Sequence, residues 1–459
     1  MTPVWNAWGM RRRDPRRLSI SGTPRKGWVN AFYGVADYSA LPLGMLLAAP
    51  FLIRHLGTAQ YGVWLLASAT VSSGGIVSGS FGDAAIKYVG DCRSRGDWLG
   101  IARIVGSMIS INLMLSGTLA VALWWWAPYA TRHIVKVDYE LRTICLQSLR
   151  IGCGLLLMRS IESVFVSTLR AFETYGPTVR ISICSRTAIL ASAVLLTRYG
   201  RNVVEIMLAT LLISSLGTVA QALALKSKIG KFSPIPSWHR KTVFEIAAFG
   251  SFSWLQAISG VAFSHADRFV VGFFMGAPAV AYYGLCVQAA QPIHGLTSSG
   301  LHFLFPHLST RLPIAPLSEI RRKVAIAFKS NVALVLALSL PLFVFGSRIL
   351  TVWIGPVFAQ QPPLILSTIV CSYALLGMNV TAHYAMLAAG HVRVVTYLNL
   401  LAGMIMLFVM AMLIPSHGLQ GAAVARLVYG PITCLAYLSL YKIIWRTGAT
   451  HIPVAISNV

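Results

Sequence analysis

The 459 residues are 56% hydrophobic and only 11% charged, with a mean hydropathy of +0.69. Soluble domains carry roughly 25% charged residues, so a soluble chain is excluded. The net charge of +25, from 38 Lys and Arg against 13 Asp and Glu, would suggest nucleic acid in a soluble protein. Here no basic, aromatic-interleaved soluble module accompanies it, and no nucleic-acid partner is expected.

In chain order, residues 1–28 form a basic tail with Arg11, Arg12, Arg13, Arg16, Arg17, Arg25 and Lys26. The apolar run that follows is too long for a signal-peptide core, so the tail reads as a cytoplasmic anchor. Runs long enough to cross about 30 Å of hydrocarbon then recur between charged breaks. In the first half they lie near 29–53, 61–82, 101–127, 143–169, 181–197 and 203–225. In the second half they lie near 247–273, 279–306, 328–345, 363–389, 394–414 and 421–441. The fold class this predicts is an all-α polytopic membrane protein of about 12 transmembrane helices. Its first lobe is 29–225, a polar linker 226–246 with Pro234 and Pro236 follows, the second lobe is 247–441, and a short tail is 442–459.

Basic residues in alternating connections are strongly unequal, with 24 on the side of the N-terminal tail and 7 on the other. Positive loops stay in the cytoplasm, which places both termini there and requires an even number of spans. The seven cysteines show no C-x-x-C spacing, and they read as small packing residues within or beside spans. Trp124, Trp125, Trp126 and Tyr129 form an interfacial aromatic belt, and Trp353 reads the same way. Asn379-Val380-Thr381 matches a glycosylation acceptor, yet it falls inside a span where no acceptor is usable.

Three landmarks recur in order between the halves. Leu56-Gly57 with Tyr61-Gly62 answers to Met275-Gly276 with Tyr283-Gly284, an offset of 219 for the first glycine. Leu169 before Tyr175-Gly176 answers to Leu387 before Gly390, and Tyr199-Gly200 answers to His417-Gly418, both at an offset of 218. With six spans per half the repeat is parallel, related by an axis along the membrane normal, and a central cavity between two lobes follows.

These stretches, with Phe81-Gly82-Asp83, Asp267-Arg268, Val352 to Pro356 and Gly418 to Ala423, resemble the polysaccharide transporter family. That family comprises the O-antigen and exopolysaccharide flippases of the multidrug/oligosaccharidyl-lipid/polysaccharide (MOP) exporter superfamily. The resemblance implies alternating access in a bacterial inner membrane. The cargo it implies is an undecaprenyl-diphosphate-linked oligosaccharide turned from the cytoplasmic to the periplasmic leaflet, with polysaccharide polymerases and glycosyltransferases as partners. Other branches of the superfamily export drugs, so fold alone does not assign cargo.

Ionisable residues within spans cost about 2.5–3.5 kcal/mol each on insertion scales and are candidates for function. The set is Asp37, Arg150, Arg159, Glu162, Asp267, Arg268 and Arg426, mostly cationic. Arginine offers a permanently charged fork that matches phosphate oxygens, which suits a diphosphate lipid; a drug-cation exporter would need acidic residues. Arg150, Arg159 and Arg268 are therefore the candidate cationic cavity, with Asp37 and Asp267 as candidate coupling-ion sites. Two local alternatives stand beside this: Arg159 with Glu162 as a neutralising i,i+3 pair, and Asp267 with Arg268 as a structural pair. His265, His294, His302 and His383 read as hydrogen-bonded packing residues, with proton coupling as the alternative. No metal or other cofactor is expected. An enzyme acting on the same lipid would need a large outer loop with acid-base groups, but the longest, 129–142, offers only His133, Asp138 and Glu140.

Overall fold

In the computed structural model the described residues are 24–79, 81–134, 138–172, 174–229, 235–301, 304–312, 315–355 and 364–446. Every regular element among them is helical. The order is α1 (Pro24–Gly79), α2 (Gly82–Arg95), α3 (Trp98–Tyr129), α4 (Tyr139–Ala171), α5 (Tyr175–Arg198) and α6 (Val203–Ile229). The second half continues with α7 (Arg240–Val261), α8 (Asp267–Met275), α9 (Ala277–Leu301), α10 (Leu304–Arg311), α11 (Leu317–Trp353), α12 (Leu364–Ala388) and α13 (Val392–Leu427). Two short helices, α14 (Tyr429–Cys434) and α15 (Ala436–Tyr441), complete the described chain before a π-helical turn.

The protein is an all-helical membrane protein of about twelve spans in two six-helix lobes. Among the described residues, six helical stretches meet the length and apolarity of a span outright, the last of them running from Val392 to Trp445. Two of the reversals need no loop, because a single glycine makes them. Gly57 divides α1 into two spans at φ 78°, ψ 164°, and Gly276 separates α8 from α9 at φ 83°, ψ −179°. Only glycine occupies this region without strain, since a Cβ would meet the neighbouring carbonyl. The two reversals share one conformation 219 residues apart, so the repeat seen in sequence is a repeat of backbone shape. Gly200 and Gly418, the third landmark pair, also share a positive φ, at 71° and 57°.

The repeat extends to hydrogen bonding. In the first lobe the Asn112 side chain of α3 donates to the Ser160 carbonyl of α4 at 3.0 Å. In the second, Asn331 of α11 donates to the carbonyls of Gly377 and Met378 in α12 at 2.8 and 3.2 Å. Asn112 and Asn331 are again 219 residues apart. Without water in the hydrocarbon, such amide-to-backbone bonds are how neighbouring spans are tied.

The halves meet along a seam built on the tyrosine-glycine landmarks. Across the seam the α1 and α9 helices pack extensively against each other. A Cβ on Gly62 would collide with the Ala277 carbonyl, and one on Gly284 would lie 2.5 Å from a Leu65 methyl. Tyr61 donates to Gln288 Oε1 at 3.3 Å across this seam. At the same end, the Trp353 indole donates to the Leu46 carbonyl at 2.8 Å and Arg54 Nε to that of Ile354 at 3.1 Å. Trp353, expected as an interfacial anchor, thus ties the two halves together. On the opposite end the linker segment lies on α3, where the Ser237 amide donates to the Gly106 carbonyl at 3.2 Å.

Candidate functional site

The charged cluster of the second lobe begins with a widened turn. Between α7 and α8 the chain forms a π-helical turn, Ala262–Ala266. Such a turn inserts a residue and rotates all that follows, and it recurs at functional sites. Asp267 and Arg268 are the first residues after it, both buried.

Adjacent residues on a helix point about 100° apart, so Asp267 and Arg268 do not face one another. The Asp267 carboxylate instead takes Arg426, brought in by α13 after the Gly418 break. Both side chains are 0% exposed. The Tyr283 hydroxyl donates to Asp267 Oδ2 at 2.8 Å, and the Arg268 amide donates to Oδ1 at 2.8 Å. Arg426 also donates to the hydroxyls of Tyr283 at 3.2 Å and Tyr373 at 2.8 Å. Its guanidinium lies 4.1 Å from the Phe263 ring centre and 4.7 Å from that of Tyr373. Desolvating two charges is costly, and the pair is tolerable because hydrogen bonds and aromatic faces replace the lost water. Asp267, expected as a coupling-ion site, has both oxygens occupied in this conformation, and the Asp267–Arg268 pair considered from sequence gives way to Asp267–Arg426.

Arg268 is left over. It is 8% exposed, its Nε has no hydrogen-bond partner, and among the described residues no carboxylate pairs with it. The cluster of one acid and two arginines keeps a net positive charge. Because α8 packs against both α1 and α9, that charge stands at the junction of the two lobes.

The other sequence candidates are scattered. Arg150 and Arg159 are nine residues apart on α4, two and a half turns, so they project from opposite faces. Arg150 stacks on Trp124 of α3, 4.9 Å from the ring centre, with its Nε unpartnered. Arg159 pairs with Glu162 at 3.3 Å and is 32% exposed, which is the neutralising local pair considered from sequence. The side chain of Asp37 and the whole of His302 lie outside the described residues. His294 and His383 line a cavity in the second lobe, and His265 Nδ1 is buried without a hydrogen-bond partner. Tyr283, Tyr373 and Phe263 were not site candidates from sequence. Tyr283 carried a signal, as part of the repeated tyrosine-glycine landmark, but nothing local marks Tyr373.

Two lobes of membrane-spanning helices with a buried cationic centre at their junction define a polytopic helical membrane protein. Its fold matches an inward-facing multidrug-resistance MATE-family transporter of the MOP superfamily with a TM-score of 0.70 at 14% identity, covering 90% of this chain and 100% of that one. It also matches the lipid II flippase MurJ in an inward closed conformation, TM-score 0.69 at 15% identity, over 90% of this chain and 87% of that one. A third match is a MOP-superfamily transporter from Pyrococcus furiosus described as having a binding pocket of reversed polarity. Its TM-score is 0.53 at 14% identity, with 89% of this chain and 96% of that one covered. Comparison with curated protein sequences finds no match to this chain. The profile of the polysaccharide biosynthesis protein family matches residues 104–361, more than half of the chain. The chain belongs to that family.

Proposed function

We propose that this protein flips an undecaprenyl-diphosphate-linked oligosaccharide from the cytoplasmic to the periplasmic leaflet of a bacterial inner membrane, by alternating access of its two lobes. The observation that carries this reading is the buried guanidinium of Arg268 at the lobe junction, which no carboxylate pairs with among the described residues. An uncompensated cation in a dry site favours an anionic occupant, and a guanidinium binds diphosphate oxygens through paired donors. Membership of the polysaccharide biosynthesis family supports a lipid-linked sugar as the occupant. Arg150 serves as a second phosphate contact along the path, Arg159 remains tied to Glu162, and Asp37 is the remaining acidic candidate for coupling an ion.

The lobes in this reading are 29–225 and 247–441, joined by 226–246, with the tails 1–28 and 442–459 in the cytoplasm. The seam around Gly57, Tyr61 and Gly276 then closes the periplasmic end, and the cargo enters from the cytoplasmic leaflet. Transport, with no bond made or broken, is the whole activity proposed.

The test is deletion of the gene in a polysaccharide-producing host. Lipid-diphosphate oligosaccharides should accumulate on the cytoplasmic face, and wild type but not Arg268→Ala should clear them. Normal lipid-linked intermediates together with altered drug sensitivity would overturn the reading in favour of a drug exporter.

A further inference from the structure

The second lobe holds a cavity of ≈ 230 Å³ walled by α7, α9, α12, α13 and α14. None of its described lining residues is a carboxylate, ammonium or guanidinium. Its polar groups include Gln256, Ser259, His294, Asn379, His383 and Asn399. Amides, hydroxyls and neutral imidazoles each both donate and accept hydrogen bonds. A cation would call for carboxylates and an anion for arginine or lysine. What complements a largely apolar wall set with uncharged donor-acceptors is an uncharged ligand that offers both hydroxyls and C–H faces.

Three further observations sharpen this. Asn379 is 5% exposed and its Oδ1 has no hydrogen-bond partner, although buried amide oxygens are nearly always satisfied. The rings of Phe263 and Tyr429, 4.4 Å apart, form part of the wall and give the C–H face of a sugar a surface to lie on. Phe263 is also the ring beneath the Arg426 guanidinium, so the cavity shares a wall with the charged cluster that contains Arg268. Sites for drug-sized ligands run to about 300–1,000 Å³, so this smaller one suits a single sugar ring rather than a whole oligosaccharide.

We propose that this cavity is a monosaccharide subsite, which takes one uncharged sugar ring of the cargo while Arg268 holds the diphosphate. The proposal rests on the lipid-linked cargo read above for the same protein. In it, Asn379 supplies the hydrogen-bond acceptor that meets a sugar hydroxyl, and discrimination among cargoes is made in the second lobe.

The test uses the full-length protein in lipid nanodiscs, with bare undecaprenyl diphosphate and undecaprenyl-diphosphate-linked N-acetylglucosamine as binding probes. Free glucose, galactose and N-acetylglucosamine are followed in parallel by saturation-transfer NMR. The sugar-bearing lipid should bind at least about fivefold more tightly than the bare one, a difference of about 1 kcal/mol. Asn379→Leu should abolish that difference and leave bare-lipid affinity unchanged. Gly260→Leu fills the cavity from a position whose added Cβ meets nothing within 4 Å, so it removes no hydrogen bond and should have the same effect. Arg268→Ala should weaken both lipids alike. If neither lipid binds wild type but free sugars give saturation transfer that Gly260→Leu abolishes, the cargo reading fails and the sugar site stands. Equal binding of the two lipids without transfer from any free sugar, or a difference that survives both cavity variants, overturns the proposal.

Discussion

Replacing Arg426 by leucine should be among the most destabilising single changes available in this protein. The side chain is 0% exposed, and its loss leaves the equally buried Asp267 without its counter-charge. Removing one partner of a buried ion pair costs about 3–5 kcal/mol, mostly the penalty of the charge left behind. Two further losses push toward the upper end. The hydroxyls of Tyr283 and Tyr373 lose a charged donor, and the Phe263 and Tyr373 faces lose a cation, a contact worth about 0.5–2 kcal/mol. Asp267 keeps the Tyr283 hydroxyl and the Arg268 amide, which limits the damage. Equilibrium unfolding in mixed detergent micelles, run as a double-mutant cycle with Asp267→Asn, measures the coupling directly. The double variant buries no charge at this position and should be more stable than Arg426→Leu alone. An Arg426→Leu protein within about 1 kcal/mol of wild type, or additive losses in the double variant, would refute the assignment of a buried pair.

The same unfolding assay checks the reversals: Gly57→Ala and Gly276→Ala should each cost about 1–3 kcal/mol, because both glycines hold a conformation closed to other residues. Ala at Gly62 places a methyl against the Ala277 carbonyl, so crosslinking between cysteines introduced across the α1–α9 seam should fall in that variant while expression persists. Arg159→Ala should change stability by less than about 1 kcal/mol and leave transport intact, since its partner is local and the pair is partly solvated. Arg150→Ala should combine a stability loss of about 0.5–2 kcal/mol, from the Trp124 contact, with slowed transport, whereas Trp124→Phe should leave transport near normal.

The helices were legible because hydropathy reports burial in lipid, and the apolar runs fall largely on helix among the described residues. Hydropathy does not report how two spans are joined. Residues 54–60 read as a connection, yet the turn is made by Gly57 alone, which the tyrosine-glycine landmark marked without explaining. The repeat was also more extensive than the landmarks showed. Asn112 and Asn331 are isolated polar residues in apolar runs, and only their matching bonds to the next helix identify them as counterparts.

The site was legible in its charges and not in their pairings. Arg159 and Glu162, one turn apart, were readable as a pair because helix geometry alone brings them together. Asp267 finds its partner 159 residues away, through a π-helical turn and the Gly418 break, and no local spacing encodes that. The separation of Arg150 from Arg159, by contrast, follows from the 3.6-residue period and could have been drawn from sequence. The cavity of the second lobe escaped notice because its described residues come from five helices and the π-helical turn, and none is a carboxylate, ammonium or guanidinium.

In the proposed function a lipid diphosphate crosses the membrane through this protein by way of Arg268. Proteoliposomes carrying an undecaprenyl-diphosphate-linked oligosaccharide on one leaflet, probed with an impermeant sugar-binding lectin on the other, test it most directly. Wild-type protein should expose the sugar at a rate well above that of empty liposomes, and folded Arg268→Ala should fall to the empty-liposome rate. Wild-type-level flipping by Arg268→Ala, or no flipping by wild type with any lipid-diphosphate sugar, would contradict the account.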